Sequence, residues 1–166
     1  VRHLLQHRSG IANFTASADY AKWSRQPKTK QEMYELIVKG GSNFEPGSKF
    51  EYSNSNYFLL GMMLEIIYHR SYDQLVSSVI LEPLEMVHSR VGSKIDPFNN
   101  DAYSYSKQNG WKKEPETDLS VAWSAGALVS TAEDLNVFSA ALFTGKLLKE
   151  SSVELMKTLT DNYGMA

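Results

Sequence analysis

The chain has 166 residues, of which 42% are hydrophobic and 22% are charged, a balance typical of a globular domain with a hydrophobic core. Lys and Arg total 17 against 19 for Asp and Glu, so the net charge of −2 argues against a dedicated nucleic-acid surface. Cysteine is absent, which excludes disulfides, thiolate metal sites and a cysteine nucleophile. No apolar run reaches the roughly 20 residues that a membrane-spanning helix needs.

Helices dominate the pattern along the chain. The first residues, Val1 to Arg8, already predict a helix without a lead-in, so we expect this chain to be part of a longer protein. Capping boxes, in which Ser or Thr is followed three residues later by Glu or Gln, predict further helix starts. The pairs are Thr29 with Glu32, Ser71 with Gln74, Ser130 with Glu133, and Ser151 with Glu154.

Two other segments complete the predicted fold. The segment from Asn56 to about His69 is apolar on nearly every side, which predicts a helix buried in the middle of the domain. Between Val87 and Pro115, turn residues separate short stretches that predict small strands or hairpin arms. We therefore predict a single unit, residues 1–166, that is mainly α with small β hairpins.

Two motifs that suggest catalysis have simpler explanations. His3 and His7 are four residues apart in a predicted helix, as in zinc-binding pairs, but Leu4 replaces the expected Glu and no third ligand is evident. We predict no metal and assign both histidines to helix packing and to capping of the following turn. The stretch Ser104-Tyr105-Ser106-Lys107 matches Ser-x-x-Lys, but it lacks the helical periodicity that this nucleophile motif requires, so we interpret it as a chance match.

The most informative segment is Tyr52-Ser53-Asn54, directly before the apolar helix. A short extended piece after the Pro46-Gly47 turn can present the phenol and the carboxamide side by side at the edge of a cleft. A phenol has a reference pKa near 10, so it acts as a base at neutral pH only beside cations. A carboxamide both donates and accepts, so it can hold a substrate amide and orient a lysine. Spacing alone favours a plainer alternative, a loop with a helix-capping Asn and a packed Tyr.

Four stretches resemble, in the same order, motifs of one known family. They are Val1 to Ile11, Pro46 to Tyr57 with Leu59-Leu60-Gly61, Glu82-Pro83-Leu84-Glu85-Met86, and Ala125 to Leu135. The family is the serine β-lactamase and penicillin-binding-protein superfamily. The chain is most similar to its branch of class C β-lactamases, D-alanyl-D-alanine carboxypeptidases, D-amino-acid amidases and esterases. Two departures are Glu85 in place of a Gly and His69-Arg70 in place of Thr-Gly at the end of a helix.

The resemblance implies a fold and a catalytic role. The fold is the helical lobe of the α+β β-lactamase/transpeptidase-like fold, without most of the antiparallel sheet. The family's Ser-x-x-Lys would precede Val1, and its third motif would follow Ala166. Only Tyr52 and Asn54 match catalytic positions: Tyr52 would work with the missing Lys as general base, and Asn54 would hold that Lys and the substrate amide. The intact protein is expected to be a serine hydrolase, and the chain alone to be inactive.

The resemblance also implies partners and a location. It implies no metal or organic cofactor, a small-molecule or peptidoglycan-type peptide substrate, and a bacterial protein outside the cytoplasm, in the periplasm, in the cell envelope or secreted. Alternatives are a binding or regulatory relative that has lost catalysis, and a helical scaffold with a fortuitous Tyr-Ser-Asn. If the sheet is absent, Tyr57 to Ile67 and Leu135 to Leu142 must pack elsewhere or expose apolar surface, and an oligomer or a sticky, marginally stable fold would then be expected.

Overall fold

The computed structural model describes residues 1–92, 94–107 and 109–165, which form a mainly α-helical fold with two small sheets. The α-helices in these ranges are α1 (Arg2–Leu5), α2 (Tyr20–Trp23), α3 (Lys30–Gly40), α4 (Asn54–Tyr68), α5 (Tyr72–Val76), α6 (Leu119–Ala122), α7 (Ala132–Phe143) and α8 (Glu150–Lys157). The strands are β1 (Arg90–Val91), β2 (Tyr105–Lys107), β3 (Trp111–Lys113) and β4 (Leu128–Val129), and β1 pairs with β4 and β2 with β3, both antiparallel. The predicted fold class, a helical lobe with small hairpins, is confirmed.

The main hydrophobic core lies against the N-terminal half of α4. Phe58 is fully buried, and its ring packs against those of Phe14 and Trp123 at centroid distances of 6.3 and 5.0 Å. Met33 and Ile37 complete the cluster from α3. Their spacing of four residues places both on one face of that helix, so α3 is held by an amphipathic stripe.

Helix α4 also approaches the 3₁₀ turn Trp123–Ala125 very closely. The contact is at Gly61, where a Cβ atom would lie only 2.1 Å from the hydroxyl oxygen of Ser124 and 2.4 Å from its Cβ. Ser124 Oγ donates a hydrogen bond to the carbonyl of Tyr57 at 3.0 Å. Glycine is therefore required here for close packing, although it is a poor helix former.

The predicted burial of this helix in the middle of the domain is found for its first half, whereas its second half is exposed. The buried residues of α4 are all within its first half, and the helix begins at Asn54 rather than Asn56. Near its end, Ile66 and Ile67 are 69% and 62% exposed. A helix that is apolar on every side can be buried along its length. Whether it is buried depends on which other elements of the fold pack against it.

Apolar surface is exposed on α7 as well, where Leu135 and Phe143 are 53% and 66% accessible. Of the two expected outcomes for these helices, packing elsewhere or exposing apolar side chains, exposure is observed at these residues, while the oligomer remains a prediction. In the described part of the chain, no helix combines the length and the apolar character needed to cross a membrane.

Two of the four predicted capping boxes form. Thr29 with Glu32 and Ser71 with Gln74 each make both reciprocal hydrogen bonds. The other two predictions are wrong. Helix α7 is capped one residue later, by Thr131, whose hydroxyl accepts from the Asp134 N–H at 3.2 Å. Helix α8 begins at Glu150 after Lys149, without a side-chain cap, so Ser151 lies inside it.

His69 and Glu85, one residue from each departure from the family motifs, adopt left-handed backbone conformations. His69 ends α4 with φ of 51°, and Glu85 has φ of 56° between the buried Leu84 and Met86. Glycine adopts this conformation without a steric penalty, whereas a residue with a Cβ does so at a cost. The fold therefore tolerates Glu85 with some backbone strain.

The hairpin predicted between Val87 and Pro115 is present as β2 and β3. Its first arm, β2, lies within the predicted range. Ser104 and Lys107 of the chance Ser-x-x-Lys match are at this arm, where Ser104 binds the Glu116 carboxylate through its N–H at 2.9 Å and its hydroxyl at 3.2 Å. An extended backbone does not place the first and fourth residues on one face, so the geometry of a helical nucleophile motif is not formed.

Candidate active site

Tyr52 and Asn54 lie side by side where the chain enters α4. Ser53 is the N-cap, with an extended φ of −146°, and Asn54 is the first helical residue. The Tyr52 side chain is 51% exposed overall, and its hydroxyl donates to Asn54 Oδ1 at 3.3 Å. The two side chains that the sequence analysis assigned to catalysis are therefore adjacent and reachable from solvent.

The carboxamide of Asn54 is held from the side opposite Tyr52. Its Nδ2 donates to Asn13 Oδ1 and to Thr15 Oγ1, both at 3.3 Å, and its backbone N–H donates to Asn13 Oδ1 at 3.1 Å. Asn13 is itself fixed because it caps the 3₁₀ turn Phe14–Ala16, accepting from the Thr15 N–H at 3.2 Å. With both its amide hydrogens used in this way, Asn54 directs its carbonyl oxygen toward Tyr52.

His7 lies behind Tyr52 and was not assigned to the site from the sequence. It is 1% exposed, and its imidazole is tilted by 33° against the Tyr52 ring at a centroid distance of 4.3 Å. Helix α1 ends at Leu5, and His7 has a left-handed φ of 52°, so His3 and His7 do not share a helical face. Of the two roles assigned to His7, packing is correct and capping of the Ser9 turn is wrong, because Nδ1 instead accepts from the Ser53 N–H at 3.1 Å.

A buried polar network joins His7 to α4. Asn56 is fully buried, its Nδ2 lies 3.3 Å from His7 Nδ1, and its Oδ1 accepts from the Ser9 hydroxyl at 2.6 Å. Burial lowers the pKa of the His7 imidazole from its ordinary value, because a buried cation is poorly solvated. The neutral ring then keeps Nδ1 free to accept a hydrogen bond.

The C-terminal segment also packs against the histidine. The Tyr163 ring meets the His7 ring edge-on at a centroid distance of 5.2 Å. Nearby, Gln6 donates to the Thr160 hydroxyl at 3.1 Å, and Arg8 is ion-paired with Asp161. Burial raises the pKa of Tyr163, with a smaller contribution from the neighbouring Tyr52.

Three supporting residues were missed because their partners are remote in sequence. Asn13 and Thr15 are about 40 residues from Asn54, and His7 is 46 residues from Ser53. Asn13 and Thr15 are in a stretch with no periodic pattern. His7 was noticed only as half of a histidine pair, and its burial beneath a tyrosine could be found only from the fold.

The comparisons with known proteins agree with this architecture. A family model described as Beta-lactamase matches residues 1–164. Protein flp of Staphylococcus aureus strain MRSA252 is 30% identical over 137 residues, covering 81% of this chain and 27% of that protein. Penicillin-binding protein 4* of Bacillus subtilis strain 168 is 27% identical over an alignment of 170 positions, covering 93% of this chain and 38% of that protein.

A solved structure shows the same arrangement of elements. D-amino acid amidase from Ochrobactrum anthropi SV3, complexed with L-phenylalanine amide, superposes with a TM-score of 0.80 and is 33% identical. The match covers 94% of this chain and 46% of that one. This chain therefore spans less than half the length of each of these relatives. With the match to the family model over nearly every residue, the chain belongs to the β-lactamase family, within the serine β-lactamase and penicillin-binding-protein superfamily.

Proposed function

We propose that this chain contributes Tyr52 and Asn54 to the active site of a penicillin-recognising serine hydrolase. The single observation that carries the proposal is the pair itself: a half-exposed phenol that donates to a carboxamide whose other groups are already fixed by Asn13 and Thr15. Such a pair is preorganised, because neither side chain has to search for its rotamer when a substrate arrives. The relatives supply the class of reaction, since they include an amidase and a penicillin-binding protein.

The proposed reaction is acyl transfer through a serine. A serine hydroxyl attacks the carbonyl of a D-alanyl peptide, a β-lactam or an ester, and its proton passes to Tyr52 in the phenolate form, which the ammonium group of a neighbouring lysine stabilises. The bond from the carbonyl carbon to the leaving group breaks, the leaving group takes up a proton, and water then hydrolyses the acyl-serine. Asn54 Oδ1 retains a lone pair beyond the one used by Tyr52, and this lone pair suits an N–H donor from the lysine or from the substrate amide.

The proposal has one consequence for the activity of this chain by itself and another for the location of the protein in the cell. The chain alone should be inactive, because the proposed serine and lysine belong to a Ser-x-x-Lys motif on a helix and the match at Ser104 lies at a strand. An extracytoplasmic location, in the periplasm, in the cell envelope or outside the cell, suits a substrate of the peptidoglycan type.

The test uses acylation by a fluorescent penicillin, read by intact mass. This chain should take up no label, whereas a longer protein that carries it together with a Ser-x-x-Lys motif should be labelled at that serine. Tyr52→Phe in the longer protein should slow labelling by about 100- to 10,000-fold, the usual contribution of general base catalysis. Tyr105→Phe is the matched control, because Tyr105 is 53% exposed and lies on a strand away from α4.

Three results would contradict the proposal. An adduct on this chain alone would place the nucleophile within it, with Ser104 the first residue to check. Equal labelling rates for Tyr52→Phe and Tyr105→Phe would remove Tyr52 from the reaction. No labelling despite an intact motif, combined with saturable penicillin binding, would favour the binding or regulatory relative instead.

A further inference from the structure

His7 contacts each of the three consecutive residues centred on Tyr52. Its backbone carbonyl accepts from the Glu51 N–H at 2.9 Å, and its Nδ1 accepts from the Ser53 N–H at 3.1 Å. Between these two hydrogen bonds, its ring packs against the ring of Tyr52 at 4.3 Å. One buried residue therefore binds the backbone N–H groups of the residues before and after Tyr52 and packs against its phenol ring.

We propose that His7 is a positioning residue for Tyr52. It sets the backbone on either side of the tyrosine through two acceptors and sets the direction of the phenol through ring packing, without touching the substrate. The inference rests on the proposed function in one respect, namely that Tyr52 takes part in catalysis. The placement of Tyr52 by His7 is a property of this chain and can be measured without turnover.

The surroundings of His7 suit a neutral acceptor. The rings that face it are those of Tyr52, Tyr57, Tyr163 and Phe50, at centroid distances between 4.3 and 6.1 Å. Asn56 is the polar side chain at Nδ1, and the charged side chain of the adjacent Arg8 is paired with Asp161. A protonated Nδ1 would point its N–H at the Ser53 N–H, so protonation would break the bond that holds the residue after Tyr52.

Ring packing explains burial, but it does not explain the polar contacts. A phenylalanine would fill the same space against four aromatic rings, yet it would leave the Ser53 N–H buried without its acceptor. A buried N–H that loses its partner is costly, so the segment would be expected to move until it found another. The Nδ1 contact is therefore the feature that distinguishes positioning of Tyr52 from simple filling of space.

Two substitutions separate the two contacts. His7→Phe keeps a ring against Tyr52 and removes the acceptor, whereas His7→Asn keeps an acceptor near the position of Nδ1 and removes the ring. The readouts, on the isotopically labelled 166-residue chain, are hydrogen exchange of the Ser53 amide and the NMR signals of the Tyr52 ring. His3→Phe is the control, since His3 is an exposed histidine four residues away.

In His7→Phe, Ser53 exchange should rise about tenfold, while the Phe14 amide, bound to Ser55 Oγ at 3.1 Å, keeps its protection. In His7→Asn, Ser53 should stay protected and the Tyr52 ring signals should shift, because the adjacent imidazole is gone. The proposal is overturned if both variants fold with Ser53 exchange and Tyr52 signals equal to wild type. It is also overturned if Ser53 and Phe14 lose protection equally, since His7 would then be only a packing residue.

A titration of the wild-type chain decides the question even if a variant fails to fold. The Ser53 amide shift should follow the protonation of His7, while the Gln74 amide, bound to Ser71 Oγ at 3.2 Å and outside the His7 network, should not. A Ser53 signal that stays constant through the His7 titration would refute the proposal. Because these readouts need no substrate, failure of the proposed hydrolase activity would leave them intact, and failure of these readouts would leave the acylation test unaffected.

Discussion

Gly61→Ala tests how tightly α4 is packed. In an exposed helix this substitution stabilises by about 1 kcal/mol, because alanine is the better helix former. Here the added methyl would lie 2.1 Å from Ser124 Oγ and 2.4 Å from Ser124 Cβ. Rotation of the hydroxyl can relieve the first contact, but relief of the second requires the two backbones to separate.

The expected effect is a net loss of stability. Overpacking by one methyl typically costs about 1–3 kcal/mol. Separation would also weaken the hydrogen bond from Ser124 to the Tyr57 carbonyl, a loss of about 1 kcal/mol. After the gain in helix propensity, we expect the free energy of unfolding to fall by about 2 kcal/mol. For a domain of this size that is a drop in Tm of about 4–8 °C.

Urea unfolding followed by tryptophan fluorescence measures the change, because Trp123 lies in the core beside this contact. Gly40→Ala is the control, since a Cβ there would meet Ala12 Cβ at an ordinary 3.4 Å. Ser124→Gly added to Gly61→Ala should recover much of the loss, which identifies the clash as the cause. A Gly61→Ala chain at least as stable as wild type would refute the reasoning.

Three further predictions concern single residues. Glu85→Gly should stabilise the chain by about 1 kcal/mol in urea unfolding, because the residue has φ of 56°, whereas Glu85→Ala should give no such gain. Thr131→Ala should cost about 1 kcal/mol by the same measurement and Thr131→Ser much less, because the hydroxyl caps α7; equal losses would contradict the cap. Below pH 6.5, the ordinary pKa of His7, the unfolded chain binds a proton that the folded chain resists, so the free energy of unfolding should fall until the lower folded pKa is passed. His7→Asn should reduce this pH dependence, and an unchanged pH profile would show that His7 is not its source.

Local signals predicted local structure well. Thr29 and Ser71 form their capping boxes because the partners are three residues away and no tertiary contact competes. Tyr52 and Asn54 are adjacent for a similar reason, since two residues at a helix entrance have few ways to separate. At α7, neighbouring Ser130 and Thr131 are both good caps, and the hydrogen bond of Ser130 Oγ with Ser89 Oγ at 2.7 Å leaves the cap to Thr131.

Contacts between residues that are distant in the chain could not be predicted from such local sequence signals. The exposed end of α4 has the same apolar pattern as its buried start. The start is buried because Phe14 and Trp123 pack against it in the fold. His7 is a similar case, because its hydrogen-bond partner depends on where the chain returns after 46 residues. The placement of the candidate site residues was therefore predictable, whereas the residues that hold them were not.

The bond between His7 and Ser53 also has a consequence for the order of folding. It closes a loop of 46 residues, and bringing the ends of such a loop together costs about 3 kcal/mol of chain entropy beyond a constant. Contacts of this range form only when enough of the core is present to compensate. A short peptide containing Tyr52 and Asn54 would therefore not hold them in this arrangement, and the pair should reach its final geometry late, after α3 and the first half of α4 have docked.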